Sequence, residues 1–176
     1  IDTFTINNTL DVTNLQYHIH YPGLDPMNEN NSAPASSRSF YYGISGVPYA
    51  LMDGGVKPSY HYDFAQTAPT DNQLKELTLE SPYFEMKVIF QLHSERLATT
   101  IDVKALQDLD SADVILNVAI VEKNISAYTG SNGDTEFNNV VLAMLPSPAG
   151  TLFSNAWVKN QKESMGTLPA LCRKSE

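Results

Sequence analysis

The spacing of apolar and polar residues changes near Pro82. Before it, Val12 to Tyr21 is rich in β-branched and aromatic residues and stops at Pro22-Gly23, which predicts a strand. Leu24 to Ser32 is dense in Asn, Asp and Pro and reads as a loop. Ser32 as a cap, Pro34 in the first turn and Gly43 just past the end frame a short helix over Ala35 to Tyr42. Tyr49 to Met52 is an apolar run ahead of Asp53-Gly54, a hairpin turn signal, and Lys57 to Thr67 reads as an aromatic-rich extended segment. Thr70-Asp71-Asn72-Gln73 matches a capping box, and Leu74, Leu77 and Ser81 continue it as one amphipathic helix ended by Pro82.

After Pro82 the period becomes two. Phe84, Met86, Val88, Phe90 and Leu92 alternate with Glu85, Lys87, Gln91 and His93. A turn near Glu95-Arg96 leads to a second strand over Leu97 to Leu106. An acidic turn from Gln107 to Asp113 then leads to a third over Val114 to Glu122. A Gly- and Asn-rich loop, Ser126 to Asn139, precedes a strand over Val140 to Leu145, and Phe153 to Lys159 is a candidate fifth. Strands joined by short polar turns make a meander or a sandwich. The pattern predicts an α+β chain with an α/β segment over 1–81, an antiparallel β domain over 82–165 and an irregular tail over 166–176.

Charge narrows the partners. Asp and Glu outnumber Lys and Arg by 20 to 11, a formal charge of −9, and no basic cluster interrupts the acidic field. Phosphate backbones and anionic lipid surfaces are therefore poor partners. No apolar run approaches the roughly 20 residues that span a bilayer as a helix. The one cysteine, Cys172, has no second thiol for an intrachain disulfide or a CxxC pair, and reads as a thiol without a role near the chain end. Ile1 opens directly into polar sequence, as expected of a processed, truncated or fragmentary chain.

Several segments resemble the outer membrane protein 28-like family of Bacteroidetes through their order along the chain. They are Leu15-Gln16-Tyr17-His18-Ile19-His20-Tyr21-Pro22-Gly23, Asp25-Pro26-Met27, Arg38-Ser39-Phe40-Tyr41-Tyr42-Gly43-Ile44-Ser45-Gly46-Val47-Pro48 and Met52-Asp53-Gly54. Farther on come Val118-Ala119-Ile120-Val121-Glu122-Lys123-Asn124-Ile125, Asn139-Val140-Val141-Leu142-Ala143-Met144-Leu145-Pro146 and Ala149-Gly150. The resemblance covers about residues 10–160 and implies a thioredoxin-like fold followed by a β-sandwich. It places Pro48 at the cis-proline position of a thioredoxin-like unit. The CxxC helix of such a unit would lie upstream of Val12, so the segment over 1–81 is read as a partial unit without its dithiol. The stretch from Gly166 to Glu176 departs from the family's continuing strands, which leaves the sandwich incomplete.

Candidate chemistry is sparse. His18 and His20, two apart on an expected strand, project to one face and would bind zinc or copper if Asp25, His61 or Asp63 supplied a third ligand. The plainer reading gives both rings to hydrogen bonds with neighbouring loops. Asn132, Asp134 and Glu136 alternate through a Gly-containing loop and offer oxygen ligands for calcium, although the spacing is not that of an EF-hand. Tyr41, Tyr42, Tyr49, Tyr60 and Tyr62 form a candidate binding surface for peptide or sugar, against the plainer reading that they fill space beside a sheet. No nucleophile elbow, phosphate-binding loop or dinucleotide fingerprint occurs, and Asp108 and Asp110 read as solvated turn charges. The sequence thus leans away from an enzyme, with no resident cofactor beyond those two metal candidates. The expectation is a cell-surface or secreted, outer-membrane-associated accessory protein that binds an envelope or surface protein, or a glycan. Two alternatives stand beside it. One is a fragment of a thioredoxin-like redox protein; the other is a structural assembly subunit completed by a partner strand at an open β-edge.

Overall fold

The structure, a computed structural model, describes residues 12–21, 23–94, 96–110, 113–130, 132–166 and 170–171. The expectations for Ile1 and for Cys172 lie outside them. The chain is α+β, with helices and antiparallel sheets, and it divides into two compact units: Ile1–Glu80 with Val121–Leu142, and Ser81–Ile120 with Ala143–Glu176. The change of period at Pro82 falls beside the first crossing between units. The β segment expected over 82–165 is not one continuous domain, because Val121–Leu142 groups with the first unit.

In the first unit the segment expected as a strand, Val12 to Tyr21, is paired among the described residues at Gln16 alone, in an isolated parallel bridge to Val140. Gln16 N–H donates to the Asn139 carbonyl at 2.9 Å, and Val141 N–H donates to the Gln16 carbonyl at 2.9 Å. The loop expected over Leu24 to Ser32 contains a helix, α1 (Pro26–Asn30), whose N-cap is Asp25. Its carboxylate accepts from the Met27 and Asn28 amides, and Pro26 occupies a position where a helix has no use for an N–H. Helix α2 (Ser32–Tyr41) starts before the expected Ala35, with Asn31 rather than Ser32 at its N-cap. The Asn31 side-chain amide donates to the Leu142 carbonyl instead of capping the helix.

The Val47–Pro48 bond is cis, and strands β1 (Tyr49–Leu51) and β2 (His61–Asp63) follow as an antiparallel pair with Leu51 opposite His61. Asp53-Gly54 does turn the chain, but as part of a 3-10 turn over Asp53–Gly55 rather than a two-residue hairpin loop; a second 3-10 turn, Pro58–Tyr60, completes the connection. Helix α3 (Asp71–Leu77) carries the capping box read from the sequence: Gln73 N–H donates to Thr70 Oγ1, and Thr70 N–H donates to Gln73 Oε1. Met27, Ile125, Phe137 and Val140 form a buried cluster, flanked by Tyr128.

The second unit is built on long strands. β3 (Phe84–His93) pairs antiparallel with β4 (Arg96–Ala105) along its whole length, from Phe84 opposite Ala105 to His93 opposite Arg96. The segment expected as one strand over Val114 to Glu122 breaks at Asn117 into β5 (Val114–Leu116) and β6 (Val118–Ile125); β6 pairs with β7 (Phe137–Leu145), and most of both these strands belongs to the first unit. The candidate fifth strand over Phe153 to Lys159 does not form as such: strand β8 (Thr151–Phe153), paired with β5, ends where it was expected to begin, and within the expected span Trp157 makes an isolated bridge to Leu109. β9 (Lys162–Gly166) closes the expected β segment, and β10 (Ala170–Leu171) lies within the stretch expected as an irregular tail; both run antiparallel to β4.

Alternation decides the core here. Ile101, Val103 and Ala105 point from β4 into a cluster with Leu116 and Trp157, and Phe84 and Phe153 meet the indole edge-on at 5.2 and 5.7 Å. Gly150 closes the turn before β8. Its φ is +74°, and a Cβ there would lie 2.5 Å from Asn117 Oδ1 and 2.7 Å from the Leu116 carbonyl oxygen. The break at Asn117 and the glycine are thus two sides of one close approach.

Candidate functional site

Asp25 is a hub in the first unit. While its Oδ1 caps α1, its Oδ2 accepts from His18 Nδ1 at 2.9 Å, and its backbone N–H donates to His20 Nδ1 at 2.9 Å. The Asn28 amide, buried, donates to the His18 carbonyl at 2.6 Å, and the His18 ring stands edge-on to Phe137 at 5.4 Å. His18, His20 and Asp25 thus lie together, through hydrogen bonds that fasten the chain before α1 to its first turn. His61 and Asp63, proposed as alternative third ligands, are engaged on β2. His61 bonds the Tyr49 hydroxyl at 3.2 Å and the Gly55 carbonyl at 2.9 Å, and Asp63 accepts from the Ala65 amide and the Gln66 side chain. Among the described residues, no three His, Cys, Asp or Glu side chains converge as a metal site.

In the loop proposed for calcium, Asn132 and Asp134 bond each other. The Asn132 amide donates to Asp134 Oδ2 at 2.6 Å, and Asp134 N–H donates to Asn132 Oδ1 at 3.1 Å. Glu136 is exposed on the same loop.

The tyrosines divide into separate clusters. Tyr41 and Tyr42 meet edge-on at 4.9 Å, with the Arg38 guanidinium 5.9 and 6.0 Å from their ring centres. Tyr17 belongs with them: burial pushes its phenol up from the ordinary value, and the Arg38 charge opposes that rise. Tyr60 is buried against an exposed ion pair. Lys57 Nζ donates to the Tyr60 hydroxyl at 2.7 Å and to Glu80 at 3.0 Å, and the Tyr60 hydroxyl donates to the same Glu80 oxygen at 2.9 Å. Tyr62 is buried and Tyr49 half-buried, so Tyr41 presents the largest area of the group.

A row of exposed apolar side chains lies along β3, in the second unit. Among the described residues, β3 is an edge of the four-stranded sheet and pairs with β4 alone. Met86, Val88, Phe90 and Leu92 share one face and are 61%, 57%, 69% and 60% exposed. The backbone at this edge is open too. Leu106 N–H donates to the Tyr83 carbonyl, which sets the phase of the ladder. Counting on from Tyr83 through the continuous register, the odd-numbered residues of β3 turn their N–H and C=O toward β4, and the even-numbered ones turn theirs outward. The apolar side chains and the unpaired peptide groups thus belong to the same residues. The alternation is legible in the sequence, but a period of two says which side chains share a face and not what covers that face.

Comparison with protein-family models, curated proteins and solved structures finds no match to this chain.

Proposed function

We propose that this chain is a non-catalytic accessory protein, secreted or at the cell surface in association with the outer membrane, that works by binding another protein through the β3 edge. The observation that carries the reading is the apolar face of β3 on a strand whose outer peptide groups have no pairing strand among the described residues. Contiguous exposed apolar surface of this kind marks protein contact sites, and an open edge adds main-chain hydrogen bonds as a second source of affinity. The face is aliphatic apart from Phe90, which favours a protein over a glycan, since sugars are gripped by aromatic platforms and hydrogen-bonding side chains. In this reading the chain is a member of the outer membrane protein 28-like family. Its first unit is a partial thioredoxin-like fold, in keeping with the run of helix, strand pair and helix from Ser32 to Leu77, and its second is a β-sandwich around Trp157.

The test is capture of solubilised envelope proteins by the immobilised chain, run beside a glycan array, with Phe90→Lys as control. Loss of the captured protein in the variant supports the reading. Equal capture by both chains, or binding to the array alone, defeats it.

A further inference from the structure

We propose that the partner at the β3 edge is a second copy of this chain, paired antiparallel across a two-fold axis at Ile89. The inference rests on the reading of β3 as a contact surface and names its occupant.

Symmetric pairing of a strand with itself must match residues that share a face, and the hydrogen-bonding partners must be the even-numbered residues, whose peptide groups point outward. Centring the axis on Ile89 meets both demands. Met86 then faces Leu92 of the second copy, Val88 faces Phe90, and on the opposite face Glu85 stands against His93 and Lys87 against Gln91. Every pair is apolar with apolar or complementary in polarity, and each occurs twice by symmetry.

Neighbouring registers are worse. An axis at Phe90 sets Lys87 against His93, and an axis at Lys87 sets that lysine against itself. An axis at Val88 sets Lys87 against Ile89 and loses the pairing of Glu85 with His93. Charge also permits self-association here. The whole chain carries −9, but β3 holds one carboxylate, Glu85, and one ammonium, Lys87, so the contacting strands add no net charge of their own to the repulsion between two acidic copies.

The test is sedimentation of the full chain from about 1 to 100 µM, with variants that leave the monomer intact. His93→Glu places a carboxylate opposite Arg96 within the monomer, a favourable pair, but opposite Glu85 of the second copy. It should weaken self-association by about tenfold, because the repulsion occurs twice. Glu85→Gln added to His93→Glu should recover most of that loss. Phe90→Lys, at a site 69% exposed in the monomer, should abolish dimers while leaving the urea midpoint in place. A wild-type chain that sediments as a monomer throughout overturns the proposal, as does a dimer indifferent to both His93→Glu and Phe90→Lys. A monomer whose Phe90→Lys variant still loses capture of envelope protein overturns self-pairing alone and leaves the contact surface standing.

Discussion

Val88 and Ile101 stand directly opposite each other across β3 and β4, yet Ile101 is 2% exposed and Val88 57%. The two side chains leave the same face of one sheet and meet different surroundings. Ile101 lies in a cluster with Trp157 and Leu116, which β3 joins at Phe84 and not at Val88. Substitution should register the difference. Ile101→Ala is expected to cost about 2–4 kcal/mol, as a truncation inside a closed core, and Val88→Thr less than about 0.5 kcal/mol. Urea unfolding at low protein concentration, where self-association is absent, measures both.

Asp25 holds α1 by its carboxylate and the preceding chain through His18 and His20. Asp25→Ala should cost about 1–2 kcal/mol, the loss of a helix cap together with the His18 contact. Asp25→Asn keeps a capping oxygen and should recover part of that. Chemical denaturation of the pair of variants separates cap from contact.

The Lys57, Tyr60 and Glu80 triad makes a prediction about pH. The Lys57 hydrogen bond first, and the Tyr60 hydroxyl second, hold Glu80 below its ordinary value of 4.5. Its contribution is thus present above about pH 4.5 and is lost as pH falls through the lowered value. Lys57 moves the other way, raised above 10.5 by the Tyr60 hydroxyl first and Glu80 second. Its contribution is whole below that value and fades as pH rises through the raised one. Solvent screens both groups, so the effects are small. Tyr60→Phe, which keeps the buried ring, should flatten both limbs of a stability profile measured by thermal melts across pH.

Gly150 admits no side chain without displacing Asn117 or the β5 backbone. Gly150→Ala should cost about 2 kcal/mol or more, combining a left-handed backbone with a steric clash. Asn117→Gly in the same chain relieves only the contact with the Asn117 side chain, so a partial recovery in urea midpoint is the expected result.

Local signals carried much of the fold into the sequence. The Thr70 and Gln73 capping box is written in four adjacent residues, and the pairing of β3 with β4 follows from two alternating runs joined by a turn. Asp25-Pro26 carried an equally local helix start, hidden because the same residues are also turn formers. What stayed illegible depends on remote partners. Val12 to Tyr21 has strand composition but among the described residues finds a bridge only at Gln16, and Lys162–Gly166 has no strand composition yet pairs because β4 offers it an edge. At the candidate site, the nearness of His18 and His20 follows from their spacing, but which of Asp25, His61 and Asp63 joins them does not. The division of the tyrosines between Arg38, Lys57 and buried positions was not legible either, since it depends on where distant segments come to rest.

The phase of the β3 ladder also sets a clock on its protons. Amides of Glu85, Lys87, Ile89 and Gln91 are tied to β4 and should exchange with deuterated water only as the sheet opens, whereas those of Met86, Val88, Phe90 and Leu92 should exchange freely. A single strand then carries a comb of slow and fast sites. Any strand that docks along this edge must slow the fast teeth, so the comb marks the footprint of whatever this chain binds there.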